Sequence, residues 1–186
     1  MDIATFHASR RFADVKSGRI AYFEEGQGPV AFFIHGVPLN GYHWRRVIER
    51  LKHRRRCIAI DLMGLGFTEI APSQDVSFTA QAQMIAEVLD LLLIDKIDLI
   101  ANDSGGAIAQ IFAAHHPQRL TSLVLTNCDV HDGWPPPQVL SLMEHSRKAR
   151  SRRCSGRLPS ALTWRASAMC AANRCRCSGV MPTRAF

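Results

Sequence analysis

The sequence predicts an α/β protein built on a doubly wound, mostly parallel sheet. Three observations carry that prediction. Short apolar runs of strand length recur at 30–34, 57–60, 96–101 and 120–126. Segments with helical spacing of apolar residues, at 43–52, 78–93 and 107–115, fall between them. The first three runs each end in a glycine-containing loop. Strand–helix alternation of this kind builds a parallel sheet through right-handed crossovers.

The elements follow in order. Residues 11–25 read as two short strands, RFADVKS and RIAYFEE, around a turn at Ser17-Gly18. In the second, Ile20, Tyr22 and Glu24 alternate with the other residues. The run 30–34 is apolar throughout, as expected of a strand buried on both faces. It stops at His35-Gly36-Val37-Pro38. In 43–52, Trp44, Val47, Ile48 and Leu51 share one helical face, with Arg and Glu opposite. The strand 57–60 ends at Asp61 and a loop containing Gly64 and Gly66. Segment 78–93 places Phe78, Ala82, Ile85, Leu89 and Leu92 on one stripe, with Ser77 or Thr79 as its cap. The strand 96–101 breaks at Asn102-Asp103-Ser104-Gly105-Gly106. Small apolar residues at 107–115 suit a tightly packed helix that Pro117 ends, and 120–126 is the last strand.

The chain of 186 residues is 47% hydrophobic and 21% charged, the profile of a soluble globular protein with a proper core. Its apolar runs are too short to cross a bilayer, and MDIATFHASRRF shows no secretory core. A cytoplasmic location is therefore expected, with Cys57 and Cys128 as reduced thiols. The net charge of +7 suggests a nucleic-acid binder, but its distribution argues otherwise. Residues 1–146 carry 13 basic and 16 acidic residues, a net of −3. Residues 147–186 carry 10 basic residues and no acid. That segment holds four of the six cysteines but only Leu158, Leu162, Val180 and Phe186 of the Leu/Ile/Val/Phe set. Such a composition is expected to stay disordered. The spacing of Cys154, Cys170, Cys175 and Cys177 matches no pair of zinc knuckles. No metal and no cofactor are expected.

The chemistry centres on residues 101–106. A buried strand, a sharp turn of small residues and a small-residue helix form the setting of a nucleophile elbow. In one register, Ala101 and Gly105 flank Asp103 as the nucleophile. In the other, Ser104 is the nucleophile and Asn102 must serve as a small residue, a poorer fit. An aspartate there attacks carbon and forms an ester that water hydrolyses. A serine there means acyl transfer on esters or amides.

Residues 11–140 resemble the N-terminal half of the α/β-hydrolase fold, most closely the branch with an aspartate nucleophile, which holds epoxide hydrolases and haloalkane dehalogenases. HGVP at 35–38, DLMGLGFT at 61–68, ANDSGG at 101–106 and HPQRLTSLVL at 116–125 carry the likeness. The resemblance implies that the backbone N–H groups of Val37 and Ser104 hold the oxyanion. It makes His35, Gly36 and Pro38 loop-ordering residues, and gives Asp61 with Gly64 and Gly66 a turn-forming role in the site floor. The dehalogenase halide donors are replaced by Val37 and Ser104, and both tyrosines, Tyr22 and Tyr42, precede the cap that would supply an epoxide acid.

The family order is nucleophile, acid, histidine. After Asp103, the chain offers Asp129 as acid candidate and His131 as base candidate, with His145 further on. The expected organisation is a partial hydrolase core at 1–133, the start of a lost cap at 134–146, and a tail at 147–186 from a shifted reading frame or a fusion. The cap and the C-terminal strands are then missing. The expected activity is that of an epoxide or alkyl-halide hydrolase, catalytically incomplete in this chain, acting on a small molecule without a membrane or nucleic-acid partner. A Ser104 esterase and a non-catalytic remnant stay open as alternatives.

Overall fold

A computed structural model describes residues 1–128 and 140–141. Six strands form one sheet: β1 (Arg10–Val15), β2 (Gly18–Glu25), β3 (Val30–Ile34), β4 (Arg56–Ile60), β5 (Ile97–Asn102) and β6 (Leu120–Thr126). Their order is β1-β2-β4-β3-β5-β6. The pairs β1–β2 and β2–β4 are antiparallel; β3, β4, β5 and β6 run parallel. The helices are α1 (Ile3–Ala8), α2 (Arg45–Leu51), α3 (Phe78–Leu91) and α4 (Ser104–His115).

Side chains of a strand point alternately to its two faces, and here both faces are buried. Phe32, Ile34, Ile58 and Ile60 join the apolar cluster that includes Ile85, Leu89 and Phe112 of α3 and α4. Their neighbours Ala31, Phe33, Cys57 and Ala59 join the opposite cluster with Phe6, Trp44 and Ile48. A two-sided core is why 30–34 reads as continuously apolar rather than alternating. Helix α3 starts where Ser77 accepts from the Ala80 N–H at 3.2 Å. Asp75 in turn accepts from the Ser77 N–H at 2.8 Å.

The structure departs from the sequence reading in three places. Helix α1 was not expected; Asp2 caps it through the Thr5 N–H at 2.8 Å, and Phe6 stacks on Phe23 at 4.7 Å. Six residues hold no helix by themselves, so this one depends on that contact. The segment expected as a helix over 43–52 opens with a 3-10 turn at Gly41–Trp44, and Val47 is exposed. Helix α4 begins at Ser104, not at 107. Gly105 and Gly106 therefore serve close packing, not a loop: a Cβ on Gly105 would lie 2.5 Å from the His35 carbonyl oxygen. As expected, 120–126 is a strand; among the described residues β6 is an edge of the sheet, with Leu123, Val124 and Leu125 exposed in succession.

No helix among the described residues is long and apolar enough to cross a membrane. Asp129, His131, nearly all of the expected cap start at 134–146 and the whole tail at 147–186 lie outside the described residues.

Candidate active site

Parallel pairing of β3 with β5 matches Ile34 to Ala101. The residues that follow each strand, His35–Pro38 and Asn102–Gly106, therefore meet at one end of the sheet. Asp103 is the turning point, with φ 54° and ψ −133°. A non-glycine residue there carries strain of about 1–3 kcal/mol, which the surroundings must hold in place. Three backbone bonds do so. The Asp103 N–H donates to Thr126 O at 3.3 Å, the Gly106 N–H donates to Asp103 O at 2.8 Å, and the Ser104 N–H donates to Asp103 Oδ1 at 2.5 Å. The carboxylate thus caps α4, where the helix dipole favours negative charge.

Gly36 and Gly105 let the two loops approach. A Cβ on Gly36 would sit 2.5 Å from the Asp103 Cβ and 2.7 Å from Oδ2. The Val37 N–H donates to the Ser104 hydroxyl oxygen at 3.1 Å, and Ser104 is fully buried. The Val37–Pro38 peptide is cis. The two expected oxyanion donors are therefore beside Asp103, one on its carboxylate and one on the neighbouring hydroxyl.

His35 is wholly buried, and both ring nitrogens are engaged. Nδ1 pairs with Gly36 O at 2.8 Å, and Nε2 accepts from the Leu62 N–H at 3.0 Å. A carbonyl only accepts and an N–H only donates, so the ring is the neutral Nδ1–H tautomer. Burial pushes its pKa below the usual histidine range, against the Gly36 carbonyl bond and the Asp61 charge. These contacts tie the 35–38 loop to the 61–66 loop. Asp61 stiffens the second loop: its carboxylate accepts from the Gly41 N–H at 2.7 Å and the Phe67 N–H at 2.9 Å. Gly66 has φ +56°, and a Cβ there would meet Asp61 Oδ2 at 2.2 Å.

One nearby residue escaped the sequence reading. His43, exposed on the 3-10 turn, feels the Asp103 charge. Its pKa is lowered by partial burial first and by Arg45 second, while Asp103 pulls it upward. Nothing in the sequence singles out His43, because only the β3–β5 pairing brings its turn near the elbow. Among the described residues, no group of three or more His, Cys, Asp or Glu side chains converges to hold a metal ion.

The sequence model of the alpha/beta hydrolase fold matches residues 29–151. This chain belongs to that family. The match takes in β3 to β6, the elbow and both loops described above, while β1 and β2 precede it. Haloalkane dehalogenase 2 of Mycobacterium tuberculosis is 33% identical over 117 residues, which are 63% of this chain and 41% of that protein. Epoxide hydrolase 2 of Caenorhabditis elegans is 33% identical over 123 residues, covering 64% of this chain and 34% of that one. The crystal structure of an alpha/beta hydrolase fold protein from Burkholderia ambifaria superposes with a TM-score of 0.69 at 26% identity, covering 80% of this chain and 52% of that one. The chain thus spans between a third and a half of the length of those two curated relatives.

Proposed function

We propose that this alpha/beta hydrolase fold chain carries the alkylation half of an epoxide or alkyl-halide hydrolase, with Asp103 as nucleophile. The observation that carries the reading is the strained backbone of Asp103 at the strand–helix turn. Such an outlier favours a chemical role over a packing role. The likeness to a dehalogenase and an epoxide hydrolase adds support. Ser104 is the weaker nucleophile in this geometry, since its hydroxyl is buried and accepts from Val37.

In the first step a carboxylate oxygen of Asp103 gives an electron pair to the substrate carbon. A C–O ester bond forms, and the carbon–leaving-group bond breaks. Halide departs with its pair, or the epoxide oxygen departs as alkoxide and takes a proton from water. In the second step water adds to Cγ of Asp103. The Ser104 N–H faces the charge that develops on the ester oxygen, while the Val37 N–H is engaged by the Ser104 hydroxyl. Collapse releases the alcohol or diol and restores the carboxylate. Asp129 and His131 are the acid and base candidates for that second step. With the Val37 N–H held by the Ser104 hydroxyl, the ester is expected to form faster than it is lost.

The test is intact-mass spectrometry after incubation with styrene oxide, followed by peptide mapping. One equivalent of adduct on Asp103, absent from Asp103→Asn, is the expected result. An adduct elsewhere, or a fluorophosphonate label on Ser104, would overturn it. Rapid turnover without accumulated ester would overturn the slow second step.

A further inference from the structure

We infer that the Ser104 hydroxyl is a positioning group that withholds the Val37 N–H from the oxyanion, and so slows the hydrolysis step selectively. The inference rests on Asp103 being the nucleophile. Two backbone N–H groups flank the Asp103 carboxylate. That of Ser104 donates to Oδ1 at 2.5 Å. That of Val37 donates to Ser104 Oγ at 3.1 Å. An N–H can only donate, so the hydroxyl oxygen is the acceptor in that bond. Ser104 has no exposed surface, and its side chain is enclosed between α4 and the 35–38 loop.

The loop itself lies against the carboxylate. A Cβ at Gly36 would be 2.7 Å from both Cγ and Oδ2 of Asp103. The Val37 N–H belongs to the next peptide along. Its partner in the structure is the Ser104 hydroxyl.

The two steps feel this differently. Alkylation uses an electron pair on one carboxylate oxygen and breaks the carbon–leaving-group bond; it disperses charge from the carboxylate. Hydrolysis adds water to Cγ, concentrates a full negative charge on the ester carbonyl oxygen, and then breaks the Cγ–O bond to the product. Only the second step builds an oxyanion there, and one oxyanion donor is worth about 10²–10³ in rate. Releasing the Val37 N–H should therefore speed hydrolysis more than alkylation.

The experiment alkylates the full chain with styrene oxide, removes the excess, and follows loss of the adduct mass at fixed pH. Wild type, Ser104→Ala and Ser104→Cys are compared. Ser104→Ala should lose the adduct about tenfold faster or more, and its ratio of hydrolysis rate to alkylation rate should rise by a similar factor. Ser104→Cys, which keeps a weaker acceptor, should fall between the two. If the alanine variant does not fold, faster loss in the cysteine variant still supports the inference, and unchanged loss overturns it. Equal or slower loss in folded Ser104→Ala overturns this inference alone. Failure of wild type to form any adduct on Asp103 overturns the nucleophile reading beneath it.

Discussion

Replacing His35 with phenylalanine should lower stability sharply and remove a pH dependence. The ring is fully buried and bridges two loops through Gly36 O and the Leu62 N–H. Phenylalanine keeps the shape and leaves both backbone groups without a partner. Each orphaned buried group costs about 1–3 kcal/mol, so the variant should lose about 2–6 kcal/mol. For a domain of this size that lowers the melting temperature by about 4–24 °C. The pH effect follows from the depressed pKa, whose main cause is burial. In the unfolded chain the histidine takes a proton near its ordinary pKa of about 6.5. In the folded chain, Nε2 is held by the Leu62 N–H and resists the proton, despite the nearby Asp61 charge and with the opposite help of His43. Acid therefore favours unfolding. The stabilisation is complete above about pH 6.5 and declines as the pH falls below it, so wild type is less stable at pH 5.5 than at pH 7.5. Urea denaturation followed by circular dichroism at those two pH values measures both effects. The reasoning fails if His35→Phe unfolds within about 0.5 kcal/mol of wild type, or if it keeps the wild-type difference between the two pH values.

Two further substitutions probe the same end of the molecule and its far side. Gly36→Ala puts a methyl group 2.5 Å from the Asp103 Cβ, so the loops must part by about 1 Å; a shift of that size should slow styrene oxide alkylation about 100-fold. Alkylation at the wild-type rate would show that the carboxylate tolerates displacement. Arg119→Ala removes bonds from one guanidinium to Asp95 O at 2.8 Å, Ile94 O at 2.6 Å and Asp90 Oδ1 at 2.6 Å. Its side chain is only 17% exposed, and the loss should reach about 2 kcal/mol in urea denaturation, with no change in alkylation.

Strands were the most legible part of the sequence. The runs at 30–34 and 120–126 coincide with β3 and β6 to the residue, because apolar runs bounded by breakers allow few alternatives. Helix α1 was illegible for a physical reason. Its one buried side chain, Phe6, is anchored by Phe23 from a distant strand, and no local period announces such a contact. The start of α4 was misjudged because Gly105 and Gly106 look like loop residues. Their absent side chains are used for contact with His35 and Cys128 instead. At the site, residue types and order were readable: the elbow, the HGVP loop and their small residues. Hydrogen-bond partners were not. That the Val37 N–H meets a hydroxyl, and that His43 feels the Asp103 charge, depends on how β3 and β5 align.

That alignment has one more consequence. Ile34 opposite Ala101 is the last matched pair of β3 and β5, and Asp103 lies two residues beyond it. Sliding either strand by one position would turn its inward side chains outward and carry Asp103 about 3.3 Å along the strand axis. The site therefore behaves as a vernier on the middle of the sheet. Its geometry records whether the two central strands have locked in step, and it is insensitive to fraying at β1, on the far edge.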